Sequence, residues 1–255
     1  MLELILFVAL CLYFIQVVIF IIGANKKYNK LDDSELKSAS VIVAARNEEQ
    51  NILTCLESLN ELEYPEGKLE IVIVNDNSTD KTGELIQNYI ADKKRFKYLV
   101  TKEKIGTLKG KANAIANGIE VSTGDIILTT DADCTVSKTW VKTIASYYTE
   151  NVGIVCGYTT QNDKTPFEGM QAADFIYLLI VAAGGMNWGK PLSAIGNNMS
   201  YSRKAYNEVG GYAKIPFSVT EDFKLLMSIY ALKKYKLIYP LDKGALVTSK
   251  PCENI

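Results

Sequence analysis

Ile126-Ile127-Leu128-Thr129-Thr130-Asp131-Ala132-Asp133 is an apolar run that ends in two carboxylates one residue apart. Preceded by Gly124-Asp125, it has the length and composition of a strand buried on both faces. In an open α/β sheet, ligands sit at the carboxyl ends of such strands. Two carboxylates held close together repel unless a cation or protons intervene, so the pair points to a divalent-metal site for an anionic ligand. An Asp-x-Asp taken alone is more often a helix cap or a solvated turn; the flanking sequence decides.

Working outward, strand and helix signals alternate. Ala39 to Ala45 is a short apolar run and reads as the first strand. Asn47 is expected to cap a helix, with Glu48 and Glu49 in its first turn where the dipole favours anions. Ile52, Leu53, Leu56 and Leu59 then mark one amphipathic face. Leu69 to Val74 is a second buried strand, ending in Asn75-Asp76-Asn77-Ser78-Thr79-Asp80. A helix follows with Leu85, Ile86, Tyr89 and Ile90 on one side, then a shorter strand over Phe96 to Val100. Lys102 to Lys109 is a basic loop, and an Ala-rich helix runs from Gly110 to Val121. Beyond the acidic pair, Val152 to Tyr158 and Lys236 to Tyr239 read as strands and Thr220 to Leu232 as a helix. Alternation with short loops predicts an α/β fold with a doubly wound, mostly parallel sheet. Phe175 to Ala183 is apolar all round, and alone too short to span a bilayer. It reads as a core helix or as a segment at the membrane surface.

Composition narrows the chemistry. Histidine is absent, which removes Ser-His-Asp and Cys-His catalysis and His-ligated metals, and leaves carboxylates for acid–base work. A net charge of −1 gives no footprint for nucleic acid. The cysteines (Cys11, Cys55, Cys134, Cys156, Cys252) are scattered and read as reduced, mostly buried small hydrophobes. Leu4 to Ile22 is nearly free of polar side chains and just long enough for a bilayer core of about 30 Å. Glu3 stands where a signal peptide would carry positive charge, so the segment reads as an anchor. Lys26, Lys27 and Lys30 follow it and place the domain in the cytoplasm by the positive-inside rule. The expected organisation is an anchor over 1–24, a polar linker over 25–38 and a catalytic domain over 39–255, divided at 135/136.

From Ser40 to Ser249 the chain resembles the family-2 inverting glycosyltransferases, membrane-associated enzymes with a GT-A nucleotide-diphospho-sugar fold. The resemblance rests on ordered pieces: Ala44-Ala45-Arg46-Asn47-Glu48, Val74-Asn75-Asp76-Asn77-Ser78-Thr79-Asp80, Gly110-Lys111-Ala112-Asn113-Ala114, Asp131-Ala132-Asp133, Gly196-Asn197-Asn198-Met199 and Thr220-Glu221-Asp222. It implies a UDP-sugar donor held by Ala44, Arg46, Glu48, Asp76, Lys111 and Asp131, with Asp76 accepting the uracil imide N–H and Lys109 and Lys111 approaching the diphosphate. It implies Mg²⁺ or Mn²⁺ on Asp133, an acceptor segment at Gly196, Asn197 and Asn198, and Asp222 beside Glu221 as the catalytic base. The implied acceptor is a lipid-linked or saccharide hydroxyl; no protein partner is implied.

Three departures stand out. Asn75 replaces the family's first Asp, and Asn77 replaces its Gly; Asn tolerates the left-handed region, so the turn is expected to survive. The family's Gln-x-x-Arg-Trp motif is missing: neither Trp140 nor Trp188 follows an arginine. Either the chain is a fragment that stops about where that motif should begin, or it lacks the acceptor and diphosphate clamp, which leaves a second reading, a nucleotide-sugar-binding or partner subunit impaired in catalysis. A third, a sugar-nucleotide nucleotidyltransferase, would want a Gly-rich basic loop where this chain has Arg46-Asn47-Glu48-Glu49.

Overall fold

The computed structural model describes residues 1–102, 104–161, 164–215, 218 and 220–251; Cys252 lies outside them. In chain order the elements are α1 (Leu2–Ala24), β1 (Ala39–Ala45), α2 (Ile52–Asn60), β2 (Leu69–Asn75), α3 (Thr82–Ile90), β3 (Phe96–Val100), α4 (Gly110–Glu120) and β4 (Ile126–Asp131). They continue with β5 (Thr135–Val136), α5 (Trp140–Ser146), β6 (Val152–Cys156), β7 (Thr159–Gln161) and α6 (Pro166–Asn187). The last are β8 (Met199–Ser202), α7 (Arg203–Glu208), α8 (Glu221–Ala231), β9 (Lys236–Ile238) and β10 (Val247–Ser249).

A seven-stranded sheet runs β3-β2-β1-β4-β8-β6-β9, with only β8 antiparallel to its neighbours. The apolar runs of the central strands are continuous because both faces are covered. Val41, Val43, Ile71, Ile73, Ile126 and Leu128 face one cluster, where α2 and α5 contribute Leu56 and Trp140. Ile42, Val72, Val74 and Ile127 face the other, against α4, α8 and the C-terminal half of α6. The period of two along each strand sets this division. Gly118 brings α4 onto the sheet: a Cβ there would lie 2.6 Å from a methyl of Ile42 and 2.9 Å from one of Val74. A small second sheet, β5-β10-β7, closes one end.

Three expectations change. Asn47 does not cap a helix. It sits at φ 56°, and α2 starts after Asn51. The strand expected over Val152 to Tyr158 breaks at Gly157 into β6 and β7, which belong to different sheets. A Cβ at Gly157 would collide with the Asn198 amide, so the chain must bend past that side chain. The apolar stretch at Phe175 is part of a 22-residue helix, long and apolar enough to cross a membrane. Thr165 caps that helix, accepting from the Glu168 N–H while Glu168 accepts from the Thr165 N–H, with Pro166 in the first turn.

α1 is apolar on all sides and exposed for most of its length, and by length and composition it too is a candidate membrane span. It runs parallel to α6, with Tyr13 hydrogen-bonded to Tyr177 and Phe20 against Gly184. At the crossing the backbones nearly touch: a Cβ on Gly184 would fall 2.5 Å from the Phe20 carbonyl oxygen. Buried Asn187 ties the junction, its amide donating to Gly23 O and Tyr239 O at 3.0 Å each. Residues 25–38 lie against the domain, with Leu36 buried and Lys30 paired to Asp242 at 2.7 Å.

Candidate functional site

The carboxyl ends of β1, β2 and β4 open into a cleft of about 210 Å³. Ala44, Arg46, Glu48, Asp76, Lys111 and Asp131, the six residues expected to hold a donor, all line it. Register explains the meeting: Ala44 pairs with Val74 on one side and with Asp131 on the other. Arg46 Nη1 lies 3.8 Å from Asp76 Oδ2, at the mouth of the cleft.

The two loops behind these strands are stitched together. Asn47 N donates to Ser78 Oγ, Thr79 N to Asn47 Oδ1 at 2.8 Å, and Glu48 N to Thr82 Oγ1 at 2.7 Å. Asn47 and Asn77 both take the left-handed conformation, as expected for Asn77 and not for Asn47. Asn75 faces away from the cleft. Its carbonyl accepts from Ser78 N and its amide donates to the Tyr98 hydroxyl at 2.9 Å, so it braces β2 against β3.

Gly110, at φ +53°, turns the chain into α4, whose N-terminus enters the cleft. The positive end of a helix dipole favours an anion. Lys111, one residue in, donates to Asp131 Oδ1 at 2.5 Å. Burial alone would pull the Lys111 pKa down; Asp131, aided by Asp222 and Glu221, overrides it and holds the ammonium above its usual value.

Asp222 stands at the start of α8, after the N-cap Thr220. Its Oδ1 accepts the Tyr212 hydroxyl at 2.7 Å. Its Oδ2 lies where a Cβ on residue 196 would be, 1.9 Å from that point, so only glycine fits at 196. Burial pushes the Asp222 carboxyl above the usual aspartate range, and Asp131 adds to it, against the Tyr212 bond and Lys111. Burial raises Glu221 too, with Asp222 and Asp131 in the same direction. A carboxylate with raised pKa near a lysine that lines a cleft is a candidate base.

Asp133 follows Asp131 in a tight turn closed by Cys134 N donating to Asp131 O at 3.1 Å. It lines a neighbouring depression with Cys134 and Lys250, outside the donor cleft. Among the described residues no three His, Cys, Asp or Glu side chains converge on one metal position. Asp131 is engaged by Lys111 and opens on the other cleft, so Asp133 is the single described carboxylate here that a cation could use, with water and substrate phosphates as its remaining ligands, the habit of Mg²⁺. Asn197 bridges the Thr159 hydroxyl and Cys134 Sγ. Asn198, expected on the acceptor side, is 2% exposed and fully engaged: it accepts from Trp140 Nε1 and donates to Tyr158 O and Ala245 O, each at 2.9 Å. Its side chain is a brace between layers. Cys55, Cys134 and Cys156 are buried free thiols, their pKa values raised first by burial, while Cys11 is exposed on α1.

Tyr212 and Thr129 were not anticipated. Tyr212 holds Asp222, and Thr129 Oγ1 donates to Gly196 O at 3.0 Å, fixing the glycine that faces Asp222. Their partners lie 10 and 67 residues away along the chain. The only local signal was a tyrosine after Gly210-Gly211.

The pattern of Glycosyl transferase family 2 matches residues 40–213. Among curated proteins, "Probable glycosyltransferase YdaM" of Bacillus subtilis (strain 168) is 32% identical over 216 residues, covering 81% of this chain and 50% of that protein. A "Beta-monoglucosyldiacylglycerol synthase" of Nostoc sp. is 29% identical over 235 residues, covering 88% and 48%. The chain thus spans about half the length of these relatives. Among solved structures, the mannosyltransferase PcManGT from Pyrobaculum calidifontis, in complex with GDP-Man and Mn²⁺, superposes with a TM-score of 0.71 at 21% identity, covering 97% of this chain and 68% of that one. S. aureus TarS 1-349 in complex with UDP-GlcNAc gives 0.61 at 19%, covering 86% and 60%. These last two likenesses are of fold.

Proposed function

This chain belongs to glycosyl transferase family 2, and from that premise we propose that it moves a sugar from a UDP-sugar to a hydroxyl of a lipid-linked or saccharide acceptor, with inversion, at the cytoplasmic face of a membrane. One observation carries the reading: the cleft that gathers the six donor residues is linked through Lys111 to Asp131, Asp222 and Glu221. Asp222 Oδ2, set against Gly196, removes the acceptor proton as the hydroxyl attacks the anomeric carbon opposite the departing UDP. Such general-base help is worth on the order of 10² to 10⁴ in rate. The α4 N-terminus and Lys111 face the diphosphate, and Asp76 and Arg46 meet the base. Asp133, on the turn after β4, would hold Mg²⁺ or Mn²⁺, which when bound neutralises charge on the leaving diphosphate.

The retained Asp131, Asp133 and Asp222 speak for catalysis over a binding-only subunit, and the family replaces the nucleotidyltransferase reading. Asp222→Asn is expected to lower transfer by about 10² or more, with UDP affinity nearly unchanged in a titration. Full turnover in that variant would remove Asp222 from the role; loss of UDP binding together with turnover would point to structural damage.

A further inference from the structure

A cavity of about 480 Å³ opens where α1 and α6 end, and it shares no residue with the donor cleft. Four aromatic rings line it, Tyr28, Trp188, Tyr230 and Tyr235, with the lysines Lys26 and Lys236 and no carboxylate. Trp188 is 53% exposed, and its indole N–H donates to Ile19 O of α1 at 2.9 Å. Lys26 donates to Asn187 O at 3.1 Å, and Lys233 stands 3.8 Å over the Tyr230 ring. Lys27 and Lys190 adjoin the lining residues in sequence. None of these five lysines has a carboxylate partner among the described residues. The nearby Glu208, which accepts the Tyr235 hydroxyl, is already paired with Lys234. α1, α6 and α8 all finish beside the cavity, and each helix end adds roughly half a negative charge. Lys26 and Lys236 in the lining and Lys233 over the Tyr230 ring outweigh that sum, so the cavity is positive with an apolar, aromatic wall.

We propose that this cavity binds the phosphate headgroup of an anionic phospholipid. The inference rests on the reading of α1 as a membrane anchor. Tryptophan, tyrosine and lysine at the end of an apolar helix are the residues of the bilayer interface, where rings lie at headgroup depth and lysines meet lipid phosphate. Lipid, unlike free phosphate, also supplies acyl chain for the exposed indole and the adjoining apolar flank of α6. The lipid is not the sugar acceptor: Tyr230 stands eight residues beyond Asp222 on α8, about 12 Å along the axis.

Trp188 makes the test direct, because Trp140, the other tryptophan, is fully buried in the domain. The full chain is placed in phosphatidylcholine vesicles containing an equal fraction of brominated phosphatidylglycerol or of brominated phosphatidylcholine, and indole quenching is read. Phosphatidylglycerol is expected to quench at several-fold lower mole fraction, by about fivefold for each lysine engaged. Lys26→Gln with Lys236→Gln should abolish the preference, while Lys94→Gln with Lys138→Gln, which removes the same charge elsewhere, should keep it. Equal quenching by both lipids, or a preference that survives in the first pair or vanishes in the second, overturns the headgroup site and leaves the anchor standing. No quenching by either lipid overturns the anchor reading and the site together. None of these outcomes bears on Asp222 or the donor cleft.

Discussion

Asp222 gives one oxygen to Tyr212 and turns the other toward Gly196, where the proposed chemistry needs it. The Tyr212 hydroxyl on Oδ1 fixes the carboxylate so that Oδ2 faces the place Gly196 leaves open. Tyr212 therefore positions the proposed base without touching substrate. Its bond also lowers the Asp222 pKa against the burial that raises it. Removing the hydroxyl in Tyr212→Phe leaves only Lys111 against burial and Asp131, so the pKa climbs further. A base works only when deprotonated, so the acid limb of the kcat/KM profile is expected to move to higher pH, with the KM for UDP-sugar little changed. An unshifted limb would reduce Tyr212 to packing. Gly196→Ala asks the complementary question. Its methyl would occupy the space of Oδ2, and transfer is expected to fall by about 10² or more, the scale of a lost general base, while UDP binding holds. Near-normal transfer by that variant would show that the open face of Asp222 is not where the acceptor sits.

At the scale of elements, what was legible followed from burial and length. β1, β2 and β4 are buried on both faces and announce themselves as apolar runs, α2 and α3 carry one apolar side each, and α4 shows as an Ala-rich run buried nearly all round. β5, β7 and β10 are two or three residues long and exist only through their pairing with one another, which no local pattern encodes. β8 was hidden for the same reason: Met199–Ser202 is a strand because it fits between β4 and β6. The meeting of the six cleft residues was readable because strand tips gather them, whereas Tyr212, Thr129 and the Trp140–Asn198 brace depend on tertiary contact. The start of α6 was readable in Thr165-Pro166-Phe167-Glu168, a capping box that an eye on the apolar centre passes over. Its end meets α1 at Gly184, where no side chain fits. Gly184→Val is expected to separate the helices, since overpacking of this kind costs about 1–3 kcal/mol. Trypsin should then cut after Lys26, Lys27 and Lys30 on the order of tenfold faster. Unchanged cutting would mean that the junction is held elsewhere, by Asn187 and Trp188 alone.

Over the whole molecule, α1 is an addition to a domain that closes without it. Neither core cluster draws on α1 beyond Ala24, and residues before it touch the rest of the chain through one side only. α6 is different, because its C-terminal half, from Leu179 to Met186, is core, while Phe167, Met170, Ile176, Tyr177 and Leu178 remain exposed. A soluble surface seldom keeps so many large apolar side chains along one helix, and when it does they mark a contact. α1, a candidate membrane span that is itself largely exposed, lies beside this flank, with Tyr13 bonded to Tyr177. Removing residues before Lys26 should therefore leave a folded domain that still binds liposomes, more weakly than the full chain, by inserting the exposed half of α6. Co-flotation with vesicles, with circular dichroism to confirm the fold, measures it. A truncated domain that stays folded, soluble and indifferent to vesicles would confine membrane contact to α1.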